Sequence, residues 1–377
     1  MFIFRGLKNL LTHFLRPQNN QPIIQEIDGL RCIAIVAVVI SHLNLQIIRL
    51  SNLSEDFVYS NSVALFIELC GNGVSIFFCI SAFILSIPFI KYYLYNGEKV
   101  KLQQYYWKRV KRLEIPYLLV LIVLLLFRIL VQGEFWKAEM PHFLSSVFYS
   151  HNIIYGRRST INPVAWTLEI EIQFYILLPL IIQLFRIKQT IARRLIIVCL
   201  LIASGIIYAA NDTFFIDAHL QYSIIPYLSI FLLGILMADV YLSNQQVLNS
   251  KNFLFDIGGI LAFLLIIYNA GASELRIQLL EYIGYILLFV SIFKGKLLNQ
   301  IFTQKWVMAI GCMCYSIYLL HYALLYFITE KLTAQLLVSS YYKNLLIQGV
   351  VVLPMVLIGC SIFYLIVEKP LMKRRAK

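Results

Sequence analysis

The sequence predicts an all-α, polytopic transmembrane bundle of about ten spanning helices, with both termini in the cytoplasm. Hydrophobic residues make up 60% of the 377 residues and charged residues only 14%, whereas soluble chains average about 45–50% and about 25%. The mean hydropathy is +0.78, so too little polar surface remains to cover a water-soluble globule. Composition therefore argues against a soluble enzyme, a disordered chain and a nucleic-acid-binding domain.

Ten segments are long and apolar enough to cross a bilayer, which takes about 20 residues. These segments are 29–48, 63–90, 114–132, 164–185, 195–210, 220–240, 253–270, 277–293, 306–328 and 344–367. The stretch 141–155 is shorter and carries His142, His151 and Asn152. We therefore predict that it is a re-entrant or interfacial segment and not an eleventh span.

The distribution of basic residues predicts the orientation of these spans. With the N-terminus in the cytoplasm, 23 Lys and Arg residues fall in inner loops and tails and seven in outer loops. Cytoplasmic loops carry such an excess of Lys and Arg in multi-spanning proteins. Both termini are therefore predicted to be cytoplasmic, and an eleventh span would destroy the asymmetry.

The chain divides into one long membrane domain and two short flanking segments. Residues 1–25 are predicted to be an amphipathic cytoplasmic or interfacial segment, with apolar residues at helical spacing and Arg16 among the cations facing the headgroups. Residues 26–370 form the transmembrane domain, and 371–377 a basic cytoplasmic tail. The seven cysteines fit no zinc-binding spacing, so we expect buried small side chains and no metal.

Titratable side chains inside spans are costly and usually have a function or a partner. Five stand out in this sequence: Arg31, His42, Glu68, Glu171 and His321. Arg31 and His42 are eleven residues apart, so they share one helix face at a separation of about 16 Å. Asp28 lies three residues before Arg31 and is its predicted ion-pair partner.

His42, Glu171 and His321 are predicted to lie at one depth in the outer half of the membrane. His321 follows 15 residues into an outward-running helix, and Glu171 seven residues into an inward-running one. A carboxylate beside a histidine orients it as a base. We hypothesise that the three meet there, the alternative being that His42 only bonds a neighbouring helix.

A basic cluster precedes the third span, in the segment WKRVKR at 107–112. Topology accounts for the number of cations, but a phosphorylated ligand arriving from the cytoplasm would also suit Arg109 and Arg112. Together with Arg31 and the outer histidines, this cluster suggests transfer of a group across the bilayer.

At these residues the chain resembles the membrane-bound acyltransferase family 3. Six segments carry the resemblance in the family's order: EIDGLR at 26–31 followed by His42, GVSIFFCISAF at 73–83, WKRVKR at 107–112, WTLEIEIQFY at 166–175, YSIYLLH at 315–321 and EKP at 368–370. Ala82 stands where the motif usually has glycine, and Thr167 where it usually has serine. Glu169 is an additional carboxylate that points elsewhere on the helix, and we do not place it in the site.

The resemblance implies an O-acyltransferase in the bacterial inner membrane. Such enzymes take an acyl group, commonly acetyl, from cytoplasmic acyl-CoA, which is a co-substrate and not a bound cofactor. They pass it to a hydroxyl of an extracytoplasmic or lipid-linked saccharide, such as O-antigen or exopolysaccharide. No metal or nucleic acid is implied.

Family roles transfer here only to matching positions. Arg31, Arg109 and Arg112 are expected to hold the CoA phosphates, while His42 is a general base or briefly carries the acyl group. Glu171 would orient a histidine or bind the acceptor, and His321 would polarise the oxyanion or hold the sugar. The expected acceptor-binding residues are Ser81, Trp166 and Tyr175.

The competing interpretation is a proton-coupled transporter or exporter of a polar solute or glycan. Intramembrane Arg, His and Glu residues also serve such carriers, although the chain shows no internal symmetry of the kind that many transporters have. Dependence on acyl-CoA separates the two, because a carrier has no use for a thioester.

Overall fold

A computed structural model of the chain describes residues 11–16, 24–214, 218–248, 250–269 and 274–372, except the side chains of Glu55 and 210–214. Helices make up most of these ranges, and no strand occurs in them. The predicted fold class, an all-α polytopic membrane protein, is confirmed.

In the described ranges, eight helical stretches are long and apolar enough to cross a membrane. They are Gln25–Leu50, Ser62–Leu94, Leu102–Leu130, Pro163–Arg186, Thr190–Ala209, Ile225–Ser243, Leu275–Lys294 and Tyr341–Met372. The predicted span 306–328 is broken into Lys305–Cys312 and Cys314–Leu332, which meet at an angle of 69°. The predicted span 253–270 is the helix Leu254–Tyr268, whose 15 residues fall short of the about 20 needed.

The stretch 141–155 does not form an eleventh span, as predicted. It is split between the helices Trp136–Val147 and His151–Tyr155, and neither belongs to the candidate spans. Pro141 lies inside the first of these helices, and Gly156 ends the second with φ +60°. The interruption at residues 148–150 leaves helices of 12 and 5 residues, and each is too short to cross a bilayer.

The chain forms two compact units, and the first comprises Met1–Val74 and Leu297–Lys377. Its helix Gln25–Leu50 packs against Lys305–Cys312 at very short range, since a Cβ on Gly311 would lie 1.7 Å from the carbonyl oxygen of Asp28. Small residues allow such close approach between membrane helices. The other helices are Glu55–Ser60, Ser62–Leu69, Leu297–Phe302, Cys314–Phe327, Tyr341–Phe363 and Lys369–Met372, with π turns at Ile328–Leu332 and Tyr364–Glu368.

The second unit comprises Ser75–Lys296. A Cβ on Gly234 would lie 2.3 Å from the carbonyl oxygen of Cys79. Glycine at this position therefore lets the helices Gly73–Leu94 and Leu228–Ser243 pack in direct contact. Arg193, which is 2% exposed, forms an ion pair of 2.9 Å with Asp239. The helices are Gly73–Leu94, Leu102–Arg109, Ile115–Leu130, Trp136–Val147, His151–Tyr155, Trp166–Ile181, Thr190–Phe214, Ala218–Gln221, Leu228–Ser243, Gln245–Leu248, Leu254–Tyr268 and Leu275–Lys294, with a π turn at Val110–Glu114.

The described part of the N-terminal segment packs against other residues of the first unit. Phe14 stacks on Tyr364 with ring centroids 6.4 Å apart, and Arg16 forms an ion pair of 2.9 Å with Asp28. Arg16 thus has a buried carboxylate as its partner, and its place at the lipid headgroups stays a prediction. Residues 1–10, 17–23 and 373–377, which hold most of the predicted apolar stripe and the basic tail, lie outside the described residues.

Candidate active site

Two of the predicted site residues, His42 and His321, are in direct contact within the first unit. Nδ1 of His42 lies 2.8 Å from Nε2 of His321, and the ring centroids are 5.0 Å apart. The two residues are 279 positions apart in the chain, on the helices Gln25–Leu50 and Cys314–Phe327. His321 is completely buried, whereas His42 is only part-buried. His42 is therefore the more exposed member of the pair.

The backbone around His321 fixes which nitrogen of each ring carries the proton. Nδ1 of His321 lies 2.9 Å from the carbonyl oxygens of both Ile317 and Tyr318. A carbonyl oxygen only accepts, so this nitrogen is the donor and Nε2 of the neutral ring is an acceptor. His42 must then donate from Nδ1 to His321, which leaves the His42 lone pair on Nε2. This arrangement, which we call the histidine relay, fixes the tautomer and the orientation of the His42 ring.

The predicted ion pair between Arg31 and Asp28 is confirmed. Nη1 of Arg31 lies 2.8 Å from Oδ1 of Asp28. Arg16 shares the same oxygen at 2.9 Å, which the sequence did not indicate. Two guanidinium groups on one carboxylate leave a net positive charge, a suitable field for a phosphate. Glu68, the remaining titratable group of the second predicted span, is exposed.

In the second unit, Glu171 is bonded to two other predicted site residues. Ser81 donates to its Oε1 at 2.9 Å, and the Tyr175 hydroxyl donates to its Oε2. Glu171 was predicted to orient a histidine or to bind the acceptor, and the hydrogen bond of the His42 ring seen in the first unit is to His321. Serine and tyrosine hydroxyls hold the carboxylate in one rotamer, which is the positioning that an acceptor-binding group needs.

Arg109 also lies in the second unit, beside Tyr175. Its guanidinium lies 5.4 Å from the ring centroid of Tyr105 and 6.0 Å from that of Tyr175, so it stacks on aromatic faces. Its buried Nε has no hydrogen-bond partner among the described residues. Arg112 follows in the π turn Val110–Glu114 and is part-buried. π turns recur at functional sites.

Trp166 lies in an aromatic cluster of the second unit, and Glu169 lies apart from it. The ring of Trp166 is 5.7 Å from that of Tyr227 and lies under the guanidinium of Arg158 at 5.5 Å.

Glu169 is completely buried, and its Oε2 accepts from the backbone N–H of Asn152 at 2.9 Å. Glu169 thus bonds to a different segment from Glu171, as its position two residues earlier predicted.

The predicted site residues therefore form two groups. His42, His321 and Arg31 belong to the first unit, while Ser81, Arg109, Arg112, Trp166, Glu171 and Tyr175 belong to the second. In the part of the chain that the structure describes, no group of three or more His, Cys, Asp or Glu residues could hold a metal ion.

One further pair of histidines was not identified by sequence reasoning. Nδ1 of His142 lies 2.9 Å from Nε2 of His151, in the segment for which only an interfacial location was predicted. The signal available was the presence of two histidines nine residues apart. That spacing indicates no shared helix face, so only the fold could pair them.

Comparison with known proteins agrees with the resemblance found in the motifs. The family model described as an acyltransferase domain matches residues 24–365. O-acetyltransferase OatA of Staphylococcus aureus (strain NCTC 8325 / PS 47) is 24% identical over 379 residues, covering 93% of this chain and 57% of that protein. A second protein of S. aureus (strain COL), provisionally named an O-acetyltransferase, is 25% identical over 385 residues, covering 94% and 58%. The chain thus spans little more than half the length of these relatives, and no solved structure matches it.

Proposed function

Since the chain belongs to the acyltransferase 3 family, we propose that it is an integral membrane O-acyltransferase that moves an acetyl group from acetyl-CoA to a saccharide hydroxyl. The observation that carries the proposal is the histidine relay, with Nδ1 of His42 2.8 Å from Nε2 of His321. The acetyl group and the hydroxyl acceptor are suggested by relatives named O-acetyltransferase. The saccharide and the CoA donor are suggested by the motif resemblance.

In this mechanism the lone pair on Nε2 of His42 removes the proton from the acceptor hydroxyl. The hydroxyl oxygen attacks the thioester carbonyl, the carbon–sulfur bond breaks, and the imidazolium returns the proton to the leaving thiolate. In the second route, Nε2 itself attacks the thioester carbonyl and the carbon–sulfur bond breaks, giving an acyl-imidazolium and the thiolate. The acceptor hydroxyl then attacks the acyl carbon, the carbon–nitrogen bond breaks, and the hydroxyl proton passes to the thiolate. Both routes need the same tautomer of His42. The hydrogen bonds of His321 to His42 and to the carbonyl oxygens of Ile317 and Tyr318 favour that tautomer.

The proposal assigns the remaining residues to the two substrates. Arg31 and Arg109 with Arg112 bind the phosphates of CoA, since guanidinium groups give charge-assisted hydrogen bonds to phosphate. Glu171, held by Ser81 and Tyr175, accepts hydrogen bonds from sugar hydroxyls. Trp166 offers a stacking face for the sugar ring. The donor enters from the cytoplasm, the side on which the distribution of Lys and Arg predicts both termini.

The first test compares wild type with His42→Asn in purified membranes supplied with labelled acetyl-CoA. Asparagine can place an amide N–H where His42 donates from Nδ1, but it has no basic nitrogen at the position of Nε2. We expect transfer of label to fall by about 10²–10⁴-fold, the usual contribution of a positioned base, with normal protein levels. His219→Asn is the matched control, because His219 donates from Nδ1 to the carbonyl oxygen of Ile153 at 2.6 Å.

Each outcome of this experiment is informative. Undiminished transfer by His42→Asn would remove His42 from the mechanism. If the wild type consumed neither acetyl-CoA nor longer or branched acyl-CoA donors, the acyltransferase proposal would fail and the transporter interpretation would replace it.

The second test examines the arginines through Arg109→Ala. We expect KM for acetyl-CoA to rise about 10-fold or more, since hydrogen bonds to charged groups contribute about 1.5–3 kcal/mol. S-acetylpantetheine, which lacks all the phosphates, should react equally well with wild type and variant. An equal loss with both donors would show that Arg109 is needed for structure and not for phosphate binding.

A further inference from the structure

A second pair of histidines lies outside the spans, in the second unit. Nδ1 of His142 is 2.9 Å from Nε2 of His151, and Nδ1 of His151 is 3.2 Å from the carbonyl oxygen of Arg157. His142 is on the helix Trp136–Val147, and His151 begins the helix His151–Tyr155. The chain of partners therefore runs from a backbone carbonyl through one histidine to another, as it does at His42.

The proton positions follow by the same argument. The carbonyl oxygen of Arg157 only accepts, so Nδ1 of His151 carries its proton and Nε2 accepts from His142. His142 then donates from Nδ1 and keeps its lone pair on Nε2. His151 is completely buried, whereas His142 is part-buried. The buried His151 thus fixes the tautomer of the part-buried His142, in which Nε2 is unprotonated.

The surroundings favour the neutral form of both rings. Tyr155 packs against them, with its centroid 4.5 Å from His142 and 4.7 Å from His151. Burial and the nearby Arg157 and Arg128 lower the pKa of His142, although Glu139 acts in the opposite direction. Burial also lowers the pKa of His151 to about 4.

Glu139 forms an ion pair with Arg128 near His142, so the charges of these two residues largely offset one another there. Nε and Nη2 of Arg128 lie 2.8 and 2.7 Å from the two oxygens of Glu139, and Thr160 adds a bond at 3.3 Å. The pKa of Glu139 is accordingly lowered. The charge of Arg157 acts on His142 and therefore favours negative charge that develops beside that ring.

We propose that His142 is the nucleophile of a second acyl-transfer centre, which accepts acyl groups from activated esters or thioesters. Nε2 of His142 attacks the carbonyl carbon, a carbon–nitrogen bond forms, and the bond to the leaving group breaks, giving an acyl-imidazolium and the leaving anion. Water or an alcohol then attacks the acyl carbon, the carbon–nitrogen bond breaks, and the proton of the attacking hydroxyl neutralises the leaving anion. His151 is a positioning residue, because it accepts the Nδ1–H of His142 throughout.

The test uses the purified full chain in detergent with p-nitrophenyl acetate as the probe. All proteins carry His42→Asn, so that the proposed role of His42 contributes nothing and its failure is measured separately. We expect the protein-dependent release of p-nitrophenolate to fall about 10-fold or more when His142→Asn is added. Asparagine keeps a donor toward His151 and removes the nucleophilic nitrogen. His219→Asn in the same background should leave the rate unchanged.

Further measurements separate catalysis from a structural role of the histidine pair. With His142→Ala, added imidazole should restore the protein-dependent rate. In the protein that carries only His42→Asn and retains His142, hydroxylamine should intercept the acyl group as a hydroxamate, above the amount formed without protein. His151→Gln, whose amide oxygen can accept from His142, should retain more activity than His151→Leu at equal folded fraction. As the pH is lowered, the rate of the protein that retains His142 should begin to fall at a lower pH than that of free imidazole, since burial lowers the pKa of His142.

The proposal is overturned by an equal rate in the proteins with and without His142→Asn. It is also overturned if imidazole fails to restore a folded His142→Ala protein, because the pair then only ties its two helices together.

Discussion

At the scale of single residues, His42 and His142 acquire the same property from different surroundings. Each ring donates from Nδ1 to a second histidine, whose own Nδ1–H is held by a backbone carbonyl. Imidazole has two nearly equivalent tautomers, so a hydrogen bond to either nitrogen decides which one is populated. Helix carbonyls three and four residues before His321 make that choice at His42, as an acidic partner does in other enzymes.

The relay predicts different effects for two substitutions of His321. His321→Gln keeps an acceptor near the position of Nε2 and should retain part of the acetyl transfer. His321→Leu removes the acceptor, so the Nδ1–H of His42 loses its partner and the ring can change tautomer. We expect kcat to fall about 10²-fold for His321→Leu, measured as labelled acetyl-CoA turnover by equal amounts of folded protein. Equal activity of the two variants would contradict the relay.

At the scale of elements, the broken ninth span positions His321. The helix Cys314–Phe327 starts afresh after a bend of 69°, so its first N–H groups lack partners within the helix. The completely buried Glu368 meets this need, because its Oε2 accepts from the N–H and the hydroxyl of Ser316 at 3.0 and 2.5 Å. A carboxylate at a helix N-terminus is also favoured by the helix dipole.

Replacement of Glu368 tests this anchoring role. Glu368→Leu leaves the N–H of Ser316 buried without its acceptor, which should cost about 1–3 kcal/mol of stability. Glu368→Gln retains an acceptor oxygen and should cost less. Thermal unfolding in detergent measures both, and acetyl transfer should fall in the same order because the helix carries His321. A melting temperature of Glu368→Leu equal to that of wild type would rule out the anchor.

At the scale of the whole molecule, stability should depend on pH through the histidine pair of the second unit. The pKa of His151 is lowered from 6.5 to about 4 by burial, and that of His142 is lowered too. Between these values the unfolded chain binds protons that the folded chain does not, so stability is full above about pH 6.5 and falls towards pH 4. The lowered pKa of Glu139 adds a loss of the same sign at lower pH.

Melting temperatures measured from pH 7.5 down to 4.5 test this dependence. The wild type should lose stability steadily below about pH 6.5, and the double variant His142→Asn/His151→Gln should lose less. His219→Asn should follow the wild type. A double variant with the wild-type slope would show that other groups control the acid transition.

The sequence predicted most of the fold because hydropathy is summed along a single helix. Eight of the predicted spans correspond to long apolar helices, since a run of about 20 apolar residues has few alternatives to crossing a bilayer. Two predictions were less accurate for local reasons. The break between Cys312 and Cys314 and the shortness of Leu254–Tyr268 arise without any interruption of hydropathy.

The sequence by itself determined the membrane class, the family and the residues that carry its motifs, including His42, Glu171 and His321. Only the tertiary structure decided their partners: His321 bonds His42, while Ser81 and Tyr175 bond Glu171. Periodicity gives the face and the depth of a residue on its own helix. Which residue from another helix meets it depends on packing between helices, which small residues such as Gly311 permit. The pairing of His142 with His151 also required the fold, because a bend between two short helices brings them together.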